Sequence, residues 1–135
     1  MNTEYVNMTI NDGILHFSYK EIENLDLDIA KKCVRDRIEF SENTSYPCLV
    51  DAVLIKNVSR EARDYFANEG NDLITANALL VKSHIFKMIV NFFINVSKPR
   101  NPTKMFTDKS QAIKWLKQYR DKAGSNAEGN AQQTH

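Results

Sequence analysis

The chain is poor in the residues that punctuate or cross-link a polypeptide: 135 residues hold four glycines, three prolines and two cysteines. The glycines do not cluster, which excludes a glycine-rich loop cradling a phosphate. Cys33 and Cys48 lack metal-ligand spacing, and two thiols make no disulfide framework, so a reduced, cytoplasmic protein is expected. No apolar run reaches the roughly 20 residues of a membrane span, and residues 1–11 have no basic, apolar leader pattern. Excess charge of one sign is missing too: 18 Lys and Arg face 17 Asp and Glu, a net +1. That balance argues against a general nucleic-acid binder. His-Glu-x-x-His, Cys-x-x-Cys and Gly-x-Ser-x-Gly are all absent, and the three histidines, His16, His84 and His135, sit beside no triad-like pattern. No catalytic residue, metal site or cofactor is therefore expected. The Asn-x-Ser/Thr sequons at Asn7, Asn43, Asn57 and Asn95 carry no weight in a chain without a leader.

What remains fits one domain over residues 1–122. Residues 123–135 contain no large apolar side chain and are expected to form a loose tail. Two strand-like runs flank Asn11-Asp12-Gly13, the pattern of a hairpin. Asp26 then caps a helix whose apolar face is Leu27, Ala30, Val34 and Ile38. The run from Pro47 to Ile55 is too continuously apolar for a half-wet strand and reads as buried on both faces. Ser59 caps a short helix that Gly70-Asn71 ends with a left-handed residue, and residues 73–82 form another strand. Ser83 caps a helix from 84 to 96, Lys98-Pro99-Arg100-Asn101-Pro102 breaks the chain, and a short strand follows. Asp108 with Gln111 opens the last helix. The order β-β-α-β-α-β-α-β-α implies an α/β fold with a mixed sheet of about five strands.

Three features stand out as candidate function. Asp51 interrupts a buried strand, either as a satisfied structural carboxylate or as part of a surface at the C-terminal sheet edge. Between Asp72 and Asp108 there is no acidic residue, while Lys82, Lys87, Lys98, Arg100 and Lys104 all fall there. That reads as a solvated face or as a patch steering an acidic partner or anion, with prolines stiffening Lys98 and Arg100. The helix from 84 to 96 leaves only His84, Lys87, Asn91 and Asn95 polar. Such a helix is central, or carries a dimer or partner interface, or borders a pocket for a greasy ligand lined by Phe86, Phe92 or Phe93. If Ile85, Met88, Ile89 and Phe92 face the sheet, Phe93 is the exposed aromatic.

The element order, with the ending PTKMFTDKSQAIKWL and its Phe106, Ala112, Trp115 and Leu116, resembles the STAS-like, SpoIIAA-like (anti-sigma-factor-antagonist-like) group of small bacterial domains. The likeness covers about residues 3 to 120. It implies a mixed sheet with four helices packed mainly on one side. LVDAVLIKNVSREARDYF is similar to the antagonists' switch segment, with Asp51 matching the strand-end aspartate. Ser59, however, matches the aspartate ahead of the switch serine, and Arg60 and Glu61 occupy the positions of that serine and its neighbour. The resemblance thus implies the fold without the phosphoserine switch. The expectation is a non-enzymatic regulatory or protein-interaction domain that binds itself or a protein partner through Asp51, Ser59, Arg60, Phe86, Phe93, Lys98 and Arg100. The alternative is a carrier of a small apolar or anionic ligand in a lipid-transfer-like pocket.

Overall fold

The computed structural model describes residues 1–133, with side chains through Lys122. Strand β1 (Val6–Asn11) turns back into β2 (Ile14–Tyr19) in antiparallel register, Asn11 opposite Ile14. Only Asp12 and Gly13 lie between, both with positive φ (54° and 74°), as a tight hairpin turn matching the strand twist requires. Helix α1 (Leu27–Phe40) follows, with the Asp26 carboxylate accepting from the Ile29 amide at 2.9 Å. Strand β3 (Tyr46–Asp51) leads to α2 (Arg60–Ala67), then a 3-10 turn (Glu69–Asn71) and β4 (Ile74–Leu80). Helix α3 (His84–Phe92) runs on into one π-helical turn (Phe93–Ser97), followed by β5 (Thr103–Phe106) and α4 (Lys109–Gln133). The loose tail expected over residues 123–135 falls beyond the described side chains.

One local expectation is corrected. Gly70 does not adopt a left-handed conformation; the positive φ falls on Leu73, at 61°. Gly70 is instead a close approach, since a Cβ there would stand 3.0 Å from the Tyr65 carbonyl oxygen.

The sheet order is β1-β2-β3-β4-β5, antiparallel in the first pair and parallel in the other three. Each parallel connection moves one strand onward in the same direction. Right-handed crossovers repeated in one direction must put their helices on one face. That face carries the larger core, in which Val6, Met8, Leu15, Phe17 and Cys48 of the sheet meet Ala30 and Cys33 of α1, Ala62 of α2 and Phe86 and Val90 of α3. Helix α4 follows the last strand, is bound by no crossover, and covers the opposite face. There Ala112 and Leu116 pack on Ile14, Leu49, Ala76 and Ala78. Three helices on one side and one on the other is the mainly one-sided packing expected. Strand β3 lies at the centre, covered on both faces, but the run expected to stay buried as far as Ile55 leaves the sheet at Asp51, and Val53 and Leu54 beyond it are exposed.

The last helix is anchored differently from the expected pattern. Ala112 and Leu116 are fully buried, whereas Trp115 is half-buried, its ring 5.6 Å from Phe106 and 4.8 Å from Tyr119 at the edge of that interface. Alanines at 76, 78 and 112 let the helix axis come close to the sheet, so Leu116 fills a tight seat. Leu116→Ala is expected to lose about 2–5 kcal/mol in chemical denaturation, from lost transfer and an uncollapsed cavity; a loss below about 1 kcal/mol would show α4 is only loosely attached.

Candidate ligand cavity

Between the sheet and its three-helix face lies a cavity of about 110 Å³. Its floor is the inward side of β2, β3 and β4, with Phe17, Tyr19, Cys48, Val50 and Leu79. Helix α1 contributes Val34 and Arg37, and α2 contributes Arg63 and Phe66. Helix α3 and its π-helical turn close it with Phe86, Ile89, Val90 and Phe93. A greasy hollow of this kind arises because the three helices are spaced by strands they must span, while α2 is only eight residues long.

A few polar groups break the apolar lining. Arg37, on the last turn of α1, is 3% exposed. Its Nη2 donates to the Gly70 carbonyl at 3.1 Å, while its Nη1 is buried and meets no acceptor among the described residues. Burial pulls the guanidinium below its ordinary pKa, with Cys48, Tyr19, Asp72 and Tyr65 acting in the opposite direction. Asn71, 2% exposed, accepts from Asn77 Nδ2 at 2.9 Å, and its own Nδ2 is unpartnered. Arg63 donates from Nη1 to the Val58 carbonyl at 3.0 Å, and its buried Nε is unpartnered as well. Among the described residues the lining contains no Asp or Glu. Asp72, the carboxylate whose charge reaches Arg37, is more than half exposed and pairs with Arg100.

Sequence reasoning missed Arg37, Arg63, Asn71 and Asn77. The signal for Arg37 was present: the buried residues of α1 are Ala30, Cys33, Val34 and Arg37, so the arginine continues the apolar stripe at helical spacing. Ile38, taken for that stripe, is only half-buried. Asn77 likewise sits mid-strand between Ala76 and Ala78, pointing to the three-helix face while its neighbours pack under α4.

The residues expected to form a partner or ligand surface lie on several elements, and of them Phe86 and Phe93 line the cavity. The Asp51 carboxylate accepts from the Val53 amide at 3.1 Å and closes the turn after β3, which is the structural reading of that residue. A strand order without reversal also has no switch-point crevice at its C-terminal edge. Ser59 caps α2, accepting from the Ala62 amide at 3.2 Å, and Arg60 is exposed, 4.0 Å from Asp64. Lys98 is exposed in a left-handed conformation, φ 52°. Arg100 is held by Asp72 and by the Asn68 carbonyl, so the acid-free stretch is partly neutralised from outside.

The orientation expected for the apolar helix holds at Ile89, which lines the cavity, and fails at its other positions. Ile85 and Met88 are 72% and 71% exposed, and Phe92 and Val96 are exposed too. Phe86 is buried and Phe93 half-buried, both lining the cavity. Spacing alone could not orient this helix because nearly every position on it is apolar.

Among the described residues, no group of three or more His, Cys, Asp and Glu side chains stands close enough to hold a metal, and no helix is long and apolar enough to cross a membrane. His84 opens α3 in solvent. His16 is held below its usual pKa by partial burial and by Lys109.

A mixed five-stranded sheet with sequential strand order and three crossover helices on one face defines a SpoIIAA-like α/β fold. The likeness is measurable against an uncharacterised protein of the DUF3478 family with a SpoIIAA-like fold from Shewanella loihica PV-4, with a TM-score of 0.58 over 86% of this chain and 98% of that one, at 12% identity. A protein of unknown function from Arthrobacter sp. FB24 aligns over 82% of this chain and 97% of its own at 28% identity, with a TM-score of 0.31. No curated protein matches the chain. The profile described as domain of unknown function DUF7793 matches residues 8–120, and the chain belongs to that family.

Both thiols are packing groups. Burial pushes Cys33 and Cys48 up to about 12. An unfolded chain releases thiol protons near pH 8.5, so between there and 12 the folded state binds more protons than the unfolded one. Stability is therefore expected to fall as pH rises above about 8.5, with Tyr19, also raised by burial, adding to the slope above about 10. At neutral pH neither thiol should react with a disulfide reagent until denaturant is added; rapid modification of the folded protein would contradict this assignment.

Proposed function

We propose that this domain works by binding rather than by catalysis, and that it holds a small apolar ligand between its sheet and its three-helix face. The cavity lined by Phe17, Val50, Phe86 and Phe93 carries this reading. Its volume is comparable to engineered apolar cavities of roughly 150 Å³ that stay dry and admit benzene. The candidate nucleophiles do not suggest a reaction: both thiols are protonated, and Ser59 is occupied as a helix cap. Under this reading the domain is a carrier or a ligand-sensing regulatory module. A neutral fluorescent probe, N-phenyl-1-naphthylamine, is expected to brighten on binding the protein, and Val90→Trp, which fills the cavity, should suppress that gain while the far-ultraviolet circular dichroism is unchanged. Absence of any brightening with the unmutated protein would reject the reading.

A second reading rests on a separate observation. Ile85, Met88, Phe92 and Val96 form an exposed apolar stripe at helical spacing along α3 and its π-helical turn, the kind of surface that docks a protein partner or a second copy of the chain. Ile85→Lys with Met88→Lys is expected to leave folding stability within about 0.5 kcal/mol, since both side chains are already in water. If this stripe mediates self-association, the same pair of changes lowers the sedimentation coefficient at high concentration; an unmutated protein that sediments as a monomer at every concentration removes the homodimer.

A further inference from the structure

The buried side-chain atoms of the cavity lining that lack a partner are of one kind. Arg37 Nη1, Arg63 Nε and Asn71 Nδ2 are all donors, all buried, and none meets an acceptor among the described residues. Two of them belong to side chains 97% or more removed from solvent, since Arg37 is 3% and Asn71 2% exposed. A guanidinium in an apolar interior is normally paired with a carboxylate, because an uncompensated buried charge is costly. Here the lining offers none, and Asp72 is engaged with Arg100 at the surface. The arrangement is fixed by the fold and not by loose side chains: Arg37 is tied to the Gly70 carbonyl across the helix-to-turn contact, and Asn71 is braced by Asn77 from the sheet.

We infer that the ligand is an apolar acid, with a carboxylate or an equivalent single anionic head seated against Arg37 and Asn71 and an apolar body lying toward Phe86 and Phe93. This rests on the cavity reading proposed above and gives it a ligand class. The anion supplies the acceptors that Arg37 Nη1 and Asn71 Nδ2 lack, in the planar geometry a guanidinium favours. Arg63 adds a second positive charge on the facing helix, its guanidinium carbon 5.3 Å from the Phe92 ring centroid. A neutral alcohol of the same shape offers a single uncharged acceptor and no charge to offset the guanidinium, and a cationic molecule meets two arginines.

Isothermal titration calorimetry with octanoate, 1-octanol and octylamine, matched in chain length, tests this directly. Octanoate is expected to bind about ten- to hundredfold more tightly than 1-octanol, the range for hydrogen bonds to charged groups, and octylamine most weakly. Arg37→Met, which keeps the volume and removes the charge, should bring octanoate down to the level of 1-octanol and leave 1-octanol unchanged. Should that variant not fold, Asn71→Asp serves instead: it places an internal carboxylate beside the arginines and is expected to abolish octanoate binding while 1-octanol still binds. Equal binding of octanoate and 1-octanol, or tighter binding of octylamine, overturns the acid head while leaving an apolar ligand in place. If none of the three binds, the cavity reading falls as well.

Discussion

The handedness of three strand-to-strand crossovers governs the rest of this molecule. Once β2, β3, β4 and β5 are laid down in sequence, each next to the last and parallel to it, right-handed connections leave α1, α2 and α3 no choice of face. The three helices must share one side of the sheet, and α4, which crosses to no further strand, is free to cover the other. The two faces then meet different packing demands. On the α4 side, alanines bring helix and sheet together around Leu116. On the crowded side three helices of unequal length meet a twisted sheet, and the short α2 cannot fill the space between its neighbours.

That imperfect fit is where the chemistry collects. A core optimised only for stability fills such a gap with leucine or isoleucine, since unfilled volume and unpaired donors both cost free energy. This chain instead brings an arginine from α1, an arginine from α2, an asparagine from the 3-10 turn and another from mid-strand β4 to the same cavity. Each belongs to a different element, and two of them hydrogen-bond across the join that holds the elements in register, Arg37 to Gly70 and Asn77 to Asn71. The polar groups thus brace the cavity as well as line it. The Shewanella loihica structure contributes the fold and nothing finer: at 12% identity it shares the architecture.

Much of the architecture was legible in the residues. The Asp12-Gly13 turn, the caps at Asp26, Ser59, Ser83 and Asp108, and the apolar run of β3 are local signals, each acting within a few residues, and they place the elements correctly. Even the fold family could be reached from their order. The orientation of α3 could not. Its composition is apolar nearly all round, so hydrophobic spacing carries no direction, and only packing against β4 and β5 decides that Phe86 and Val90 turn inward while Ile85 and Met88 stay in water.

By itself, then, the sequence determined the element types, their order and the mixed sheet, because these follow from backbone caps, turn residues and periodicity over short distances, while the ends of β3 and α3 fell at Asp51 and Phe92, short of the expected Ile55 and Val96. Only the tertiary structure decided which charged residue is buried. Arg35, Arg37 and Arg60 look alike in a string of letters, each on a helix and beside an acidic residue. Arg37 alone of these is carried into the interior, because α1 packs with Ala30, Cys33 and Val34 against the sheet and the next residue on that face is an arginine. Whether it then meets a carboxylate depends on residues 33 to 35 positions away in the chain, where Gly70 offers a carbonyl and Asp72 has already been taken by Arg100. No local pattern carries that information, since it is a sum over contacts that exist only once the helices are in place.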